Sequence, residues 1–130
     1  MSTKECINSD RAPAAIGPYS HAVKANGMIY VSGCIGLEKD TMKMISDDVT
    51  EQARQVLHNL QMIVEDAGST LDDVVKCTVL LADINDFAAV NKVYDEYFKE
   101  SKPARACFAC KQLPANAKIE IDCICIGSSE

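Results

Sequence analysis

The 130-residue chain has no basic block. Its 13 lysines and arginines are scattered and outnumbered by 19 aspartates and glutamates, giving a formal net charge of −6. Proteins that grip RNA or DNA through phosphates concentrate positive charge in a patch or stripe, so nucleic acid is not an expected partner. An anionic small molecule stays open, because one focused arginine can outweigh a diffuse negative field. No stretch approaches a membrane span, and "MSTKECINSDRAPAAIGPYS" lacks the apolar core of a signal peptide. A cytoplasmic protein with no membrane partner is therefore expected, with mitochondrial or nuclear pools left open. There is no GxSxG, P-loop, HExxH or dinucleotide fingerprint, so no cofactor is implied. Linkers, repeats and low-complexity runs are absent too, and residues 1–130 are expected to form one domain.

What is present is ordinary globular composition, 48% apolar and 25% charged, enough for one hydrophobic core. The seven cysteines are odd in number and sit mostly in apolar, strand-like runs. This points to free thiols in a reducing compartment. Cys107-x-x-Cys110 looks like half a zinc site. Residues i and i+3 of a strand face opposite ways, however, and both this pair and Cys123-x-Cys125 lie among alanines and isoleucines. Core thiols are the better reading and no metal is expected.

The pattern along the chain predicts an α+β fold in the order β-β-β-α-β-α-β-β. A short extended piece around Cys6–Ile7 leads into "RAPAAIGPYS", where Pro13, Gly17 and Pro18 forbid a regular helix. "SHAVKANGMIYVSG" reads as a hairpin turning at Asn26-Gly27. A helix follows, capped by Ser46, Asp47 or Asp48, with Val49, Ala53, Val56, Leu57, Leu60, Val64 and Ala67 at helical spacing, and it stops at Gly68. "DVVKCTVLLAD" is a strand with Val75, Cys77, Val79 and Leu81 on one face. A second helix from Asn85-Asp86 aligns Phe87, Val90, Tyr94 and Tyr97/Phe98. Strands Ala104–Cys110 and Lys118–Ile126, joined by "QLPANA", finish the domain. Two helices cover only one face of a mixed sheet, yet the last strand is apolar on both faces. The surplus predicts burial against further copies of the chain.

Arg105 is the leading chemical candidate. A guanidinium among alanines and cysteines needs an anionic partner. Two readings stand level: a fork that clamps a substrate carboxylate, or a structural ion pair with Glu120 in the partnering run "KIEID". Glu120 has the matching duality, since it could also orient or deprotonate a water. Tyr19 follows the rigid Gly17-Pro18, and Ser32-Gly33 closes a strand where a hydroxyl and bare backbone can approach a ligand. For these, packing and turn chemistry are the stronger reading. Asn91 stands one position off the apolar stripe, as a solvent or pocket residue. His21 has nothing to fix it beside a cysteine, and His58 shares the polar side of its helix with Arg54 and Glu51.

The stretches "APAAIGPYSHAV", "IYVSGCIGL", "VVKCTVLLADINDFAAVNKVYDEYF" and "PARACFACKQLPANAKIEID" together resemble the reactive intermediate deaminase (Rid, RidA/YjgF) family, in its order and spacing from about Ala12 to Asp122. The resemblance implies a chorismate-mutase-like fold assembled as a homotrimer, with sites in clefts between subunits. It also implies cofactor-free hydrolysis of 2-imino acids (2-aminoacrylate/2-iminopropanoate and 2-iminobutanoate) to 2-keto acids and ammonia. On this basis Arg105 is the carboxylate clamp and Glu120 positions the attacking water. Cys107 contributes backbone groups, its thiol being dispensable, and Tyr19, Ser32, Gly33 and Asn91 line the pocket. Cys34 and His21 stand where many members have glutamine, which bears on substrate range. The loop "EKDTMKM" lacks the usual proline and glycine.

Two other functions compete. Animal members have been described as ribonucleases acting on single-stranded RNA and inhibiting translation. The negative charge and the lack of a histidine acid/base pair argue against that here. A non-catalytic metabolite-binding trimer would bind at Arg105 without releasing ammonia.

Overall fold

The computed structural model describes residues 3–127. Asn26 and Gly27 both have positive φ (54° and 78°), the requirement of a two-residue hairpin turn. They join β2 (Ala22–Ala25) to β3 (Met28–Cys34), and β1 (Glu5–Ile7) adds to the outside of β2. Of the three cap candidates, Asp48 caps α1 (Val49–Asp66), accepting from the Glu51 N–H at 2.9 Å. At the far end, Gly68 has φ +93°. The N–H groups of Gly68 and Ser69 fold back onto the Glu65 and Val64 carbonyls, which satisfies orphan acceptors of the last turn.

The remaining elements are β4 (Val74–Leu81), α2 (Phe87–Phe98), β5 (Ala104–Ala109) and β6 (Ile119–Ile126). The six strands form one mixed sheet in the order β1-β2-β3-β6-β4-β5. Only β4 and β5 run parallel, because α2 carries the crossover between them. Both helices lie on one face. Between helices and sheet, Leu57, Leu60 and Val64 meet Ile29, Val79, Leu81, Ile119 and Ile121, all fully buried. Buried Gln52 ties the layers together: its Nε2 donates to the Ser46 carbonyl and its Oε1 accepts from the Lys118 N–H, each at 2.8 Å.

The structure corrects two expectations. The alternation along β4 is broken at its start, where a bulge lies between Val74 and Lys76. Val74 rather than Val75 is therefore buried, and Val75 is 37% exposed, since one extra residue flips every earlier side chain. The strand of Glu120 is not the neighbour of the strand of Arg105. β4 lies between them.

The cysteines are free: Cys34, Cys77, Cys123 and Cys125 are buried, Cys107 and Cys110 partly so, and Cys6 exposed. Among the described residues no three His, Cys, Asp or Glu side chains group so as to hold a metal. No helix among them is long and apolar enough to cross a membrane. The sheet face turned away from the helices exposes Tyr30, Phe108 and Ile126 (45%, 51% and 48%), with Leu80 and Ile124 between them.

Candidate functional site

Strand register decides which candidates can meet. Arg105 is in register with Cys77, and Cys77 with Cys123. Both cysteines are buried under the helices, so Arg105 leaves the edge strand on the helix face. Glu120 is in register with Leu80, three residues along β4 from Cys77, and so lies on the opposite face. Within one chain the two groups point away from each other. Among the described residues no ion pair joins them, and this removes the structural-pair reading of Arg105.

The half-buried Arg105 instead lies against two aromatic rings of α2, its guanidinium carbon 4.7 Å from the Tyr94 centroid and 5.6 Å from that of Phe87. Such stacking holds the planar group at about 0.5–1 kcal/mol per ring and leaves the N–H edge free for an anion. Tyr94 and Phe87 read in the sequence as core stripe. Their second role follows from spacing, because Tyr94 stands one turn beyond Asn91. Asn91, Tyr94, Phe98, Pro103 and Arg105 line an open cleft of about 310 Å³. Cys107 follows Arg105 on the same face, half-buried against the core. Burial raises its thiol pKa and the Arg105 charge partly offsets this, so it is a poor nucleophile. As the sheet edge, β5 carries backbone groups that no neighbouring strand engages.

The second cleft, about 270 Å³, is lined by Tyr19, Ser32, Gly33, Pro114 and Glu120. Here Gly33 has a specific role. A Cβ built on it would come within 2.8 Å of the Glu120 Cδ, so the bare backbone is the seat of the carboxylate. Burial, and next the charge of Asp122, raise the pKa of Glu120, which brings a carboxylate base closer to neutral pH. Ser32 Oγ donates to the Ser20 carbonyl at 2.7 Å, and the Ser32 N–H to the His21 carbonyl at 3.0 Å, locking β3 to the loop that carries Tyr19. That loop is pinned by His21, 5% exposed. Its Nδ1 accepts from the Ser9 N–H at 3.0 Å, so Nε2 carries the hydrogen and donates to the Pro13 carbonyl at 2.7 Å. Its ring nitrogens are thus committed to holding the loop. Pro114 was missed by sequence reasoning; only its place in the "QLPANA" turn hints at it.

The sequence candidates therefore fall into two groups: Arg105, Asn91 and Cys107 at the β5–α2 corner, and Tyr19, Ser32, Gly33 and Glu120 at the β3–β6 end. Each half offers one member of a pair. The first presents a fixed cation suited to a carboxylate, the second an activated carboxylate suited to holding water. Neither presents a ligand set for a metal.

Comparison with known proteins shows the family. The chain is 46% identical to human 2-iminobutanoate/2-iminopropanoate deaminase, over 95% of this chain and 90% of that one. It is also 46% identical to the Arabidopsis thaliana protein Reactive Intermediate Deaminase A, chloroplastic, over 93% of this chain, and spans 65% of that protein's length. The solved structure of E. coli TdcF with bound serine superposes with a TM-score of 0.90 at 39% identity, covering 95% of this chain and 99% of that one. Residues 9–126 match the family model described as Endoribonuclease L-PSP, and the chain belongs to that family, which is the YjgF/Rid family.

Proposed function

We propose that the protein hydrolyses 2-imino acids, such as 2-iminopropanoate and 2-iminobutanoate, to 2-keto acids and ammonia, at sites shared between copies of a homotrimer. Arg105 of one copy binds the substrate carboxylate, and Glu120 of a neighbour holds the attacking water. The observation that carries this reading is the free guanidinium on its aromatic bed, facing a cleft and away from the carboxylate of its own chain. The exposed Tyr30, Phe108 and Ile126 give the sheet face the apolar surface that association would bury. The relative named as a deaminase supports the reaction class. TdcF supports the ligand class, because its bound serine shares with a 2-imino acid a carboxylate and a nitrogen on one carbon.

The chemistry asks little of the protein. The water oxygen bonds to C2 while the C=N electron pair moves to nitrogen. Glu120 takes a proton from the water and returns it to nitrogen. Glu120 next takes the hydroxyl proton of this carbinolamine and gives it to the amino group, and the C=O bond forms as the C–N bond breaks, so that R–C(=NH)–COO⁻ plus H2O gives R–C(=O)–COO⁻ plus NH3. Arg105 fixes the acid, Asn91 and Tyr19 flank it, and positioning supplies most of the gain.

The test generates the imine in place with an amino-acid oxidase and follows its decay with and without the protein. Wild type is expected to accelerate decay and Arg105→Ala to fold normally without accelerating it. Equal rates for the two proteins would overturn the proposal.

A further inference from the structure

Between β1 and β2 the chain runs from residue 8 to residue 21 with no helix or strand of its own, and it carries Tyr19 to the edge of the Glu120 cleft. Hydrogen bonds of His21 hold this loop in shape. The His21 N–H donates to Asn8 Oδ1 at 3.1 Å, and the His21 carbonyl accepts from the Ser32 N–H of β3. Its ring joins Ser9 to Pro13. The ring can do this in one state only. A backbone N–H can only donate, so Nδ1 must offer Ser9 a lone pair. A backbone carbonyl can only accept, so Nε2 must carry the hydrogen. A charged imidazole has hydrogens on both nitrogens and would turn one of them against the Ser9 N–H.

We infer that His21 is a proton-operated latch: neutral, it holds Tyr19 at the Glu120 cleft, and on charging it releases Ser9 and the loop with it. Imidazole is the side chain that changes charge between about pH 5 and 8. This one is 5% exposed, so the Ser9 N–H it would abandon finds no water while the loop stays folded. The charged groups around the latch are Asp66 and Glu65 at the end of α1, and Arg11 and the exposed Asp10 in the loop; β3 offers the Ser32 N–H. Asp66 accepts from the Ser9 hydroxyl and pairs with Arg11 at 2.7 Å, and Arg11 reaches Glu65 at 3.3 Å. Among the described residues none of these charges is hydrogen-bonded to the ring. Arg11 and the Ser9 hydroxyl hold the Asp66 carboxyl below the usual carboxylate range, so Asp66 keeps its charge while His21 changes. Glutamine, which stands at this position in many Rid proteins, offers the same acceptor and donor and never titrates. The histidine adds a proton response to a contact that an amide makes without one. The latch stands on this geometry, and its consequence for turnover rests on the imine hydrolysis proposed above.

The experiment compares the full chain with His21→Gln from about pH 8 down to about pH 5. Exchange of the Ser9 amide hydrogen, read by NMR, should be equally slow in both proteins at the upper end. At the lower end it should be about tenfold faster in wild type than in the variant, the scale of one lost buried hydrogen bond. Comparing the two at equal pH cancels the intrinsic pH dependence of exchange. Equal protection at the lower end would overturn the latch. If the variant fails to fold, the wild type decides alone. Nitrogen NMR signals of the His21 ring should then show it charging on the same pH curve as the loss of Ser9 protection. A ring that stays neutral throughout, or that charges with Ser9 still protected, would equally overturn the latch. For turnover, kcat/KM should fall more steeply on acidification in wild type than in His21→Gln, because the variant keeps Glu120 as a titrating group and loses the latch. Coinciding acid limbs would detach the loop from catalysis and leave the latch standing. No turnover of any imine by either protein would overturn the hydrolysis, while Ser9 exchange would still decide the latch.

Discussion

The two clefts hold their charges by opposite means. At the β5–α2 corner the cation rests on the rings of Tyr94 and Phe87, an apolar support that fixes direction without neutralising charge. At the β3–β6 end the carboxylate sits on bare backbone at Gly33, with a second carboxylate, Asp122, two residues away along the strand. One half thus keeps its charge available by stacking, and the other makes its group more basic by burial and repulsion. A chain that paired Arg105 with Glu120 internally would satisfy both and could do chemistry with neither. Placing them on opposite sheet faces keeps the two charges apart within one chain.

Separating the halves onto different chains is the sharpest way to test that contrast, and the largest effect. Arg105→Ala removes a two-pronged charge-assisted contact, a loss of about 100-fold or more in kcat/KM, and Glu120→Gln removes the base. Each variant alone should be inactive. Co-expressed in equal amounts, they should recover roughly one quarter of wild-type activity, because half of the sites draw Arg105 from the intact chain and half of those draw Glu120 from the other. No recovery in purified mixed oligomers would mean that both groups serve one chain's site. Gly33→Ala is the next largest effect. The new Cβ takes the space of the Glu120 carboxylate, so kcat should fall by about tenfold, while a carboxylate analogue that reads only the Arg105 half binds as before.

Much of this was legible locally. Asn26-Gly27 named its turn and Gly68 its stop, and the cap was narrowed to Ser46, Asp47 or Asp48, because each answers a backbone requirement within a few residues. The bulge that exchanges Val74 for Val75 left no trace in a strand whose two faces are both partly apolar. Strand order was equally hidden. Arg105 and Glu120 looked like neighbours because their strands are consecutive, but the crossover through α2 sets β5 parallel to β4 and lets β6 enter on the other side. All seven candidate site residues fall in or beside the two corners. That they form two separate halves, and that Tyr94 and Phe87 serve Arg105, depends on register between strands, which no local pattern carries.

A smaller effect distinguishes the two halves by pH. Because burial and Asp122 raise Glu120, it holds its proton to a higher pH than an ordinary carboxylate, and activity that needs the ionised form should fall early on acidification. Asp122→Asn removes one cause. The acid limb of kcat/KM should then move to lower pH, while binding of a carboxylate analogue at Arg105 should keep its own pH dependence. An unmoved acid limb would detach Asp122 from the carboxylate half.

The smallest effect concerns the loop that brings Pro114 to the carboxylate cleft. Ala115 and Asn116 both have positive φ (55° and 54°). Asn116 tolerates this region and is tethered by Gln112, whose Nε2 donates to its Oδ1 at 2.9 Å. Alanine has neither advantage, and its Cβ costs about 1–2 kcal/mol in this conformation. Glycine would lift that strain but free the unfolded chain by about 0.5–1 kcal/mol. Ala115→Gly should therefore stabilise the protein by a net amount of up to about 1 kcal/mol, read as a higher urea midpoint with an unchanged slope. Lys102 beside the other cleft also has positive φ (44°), so strain as such does not separate the halves, and the role of the alanine lies in its own turn. It trades stability for a stiffer turn behind Pro114, so the glycine variant should gain stability and lose some kcat, with binding at the Arg105 half unaffected. A glycine variant that gained both stability and turnover would show that the strain serves no purpose in the site.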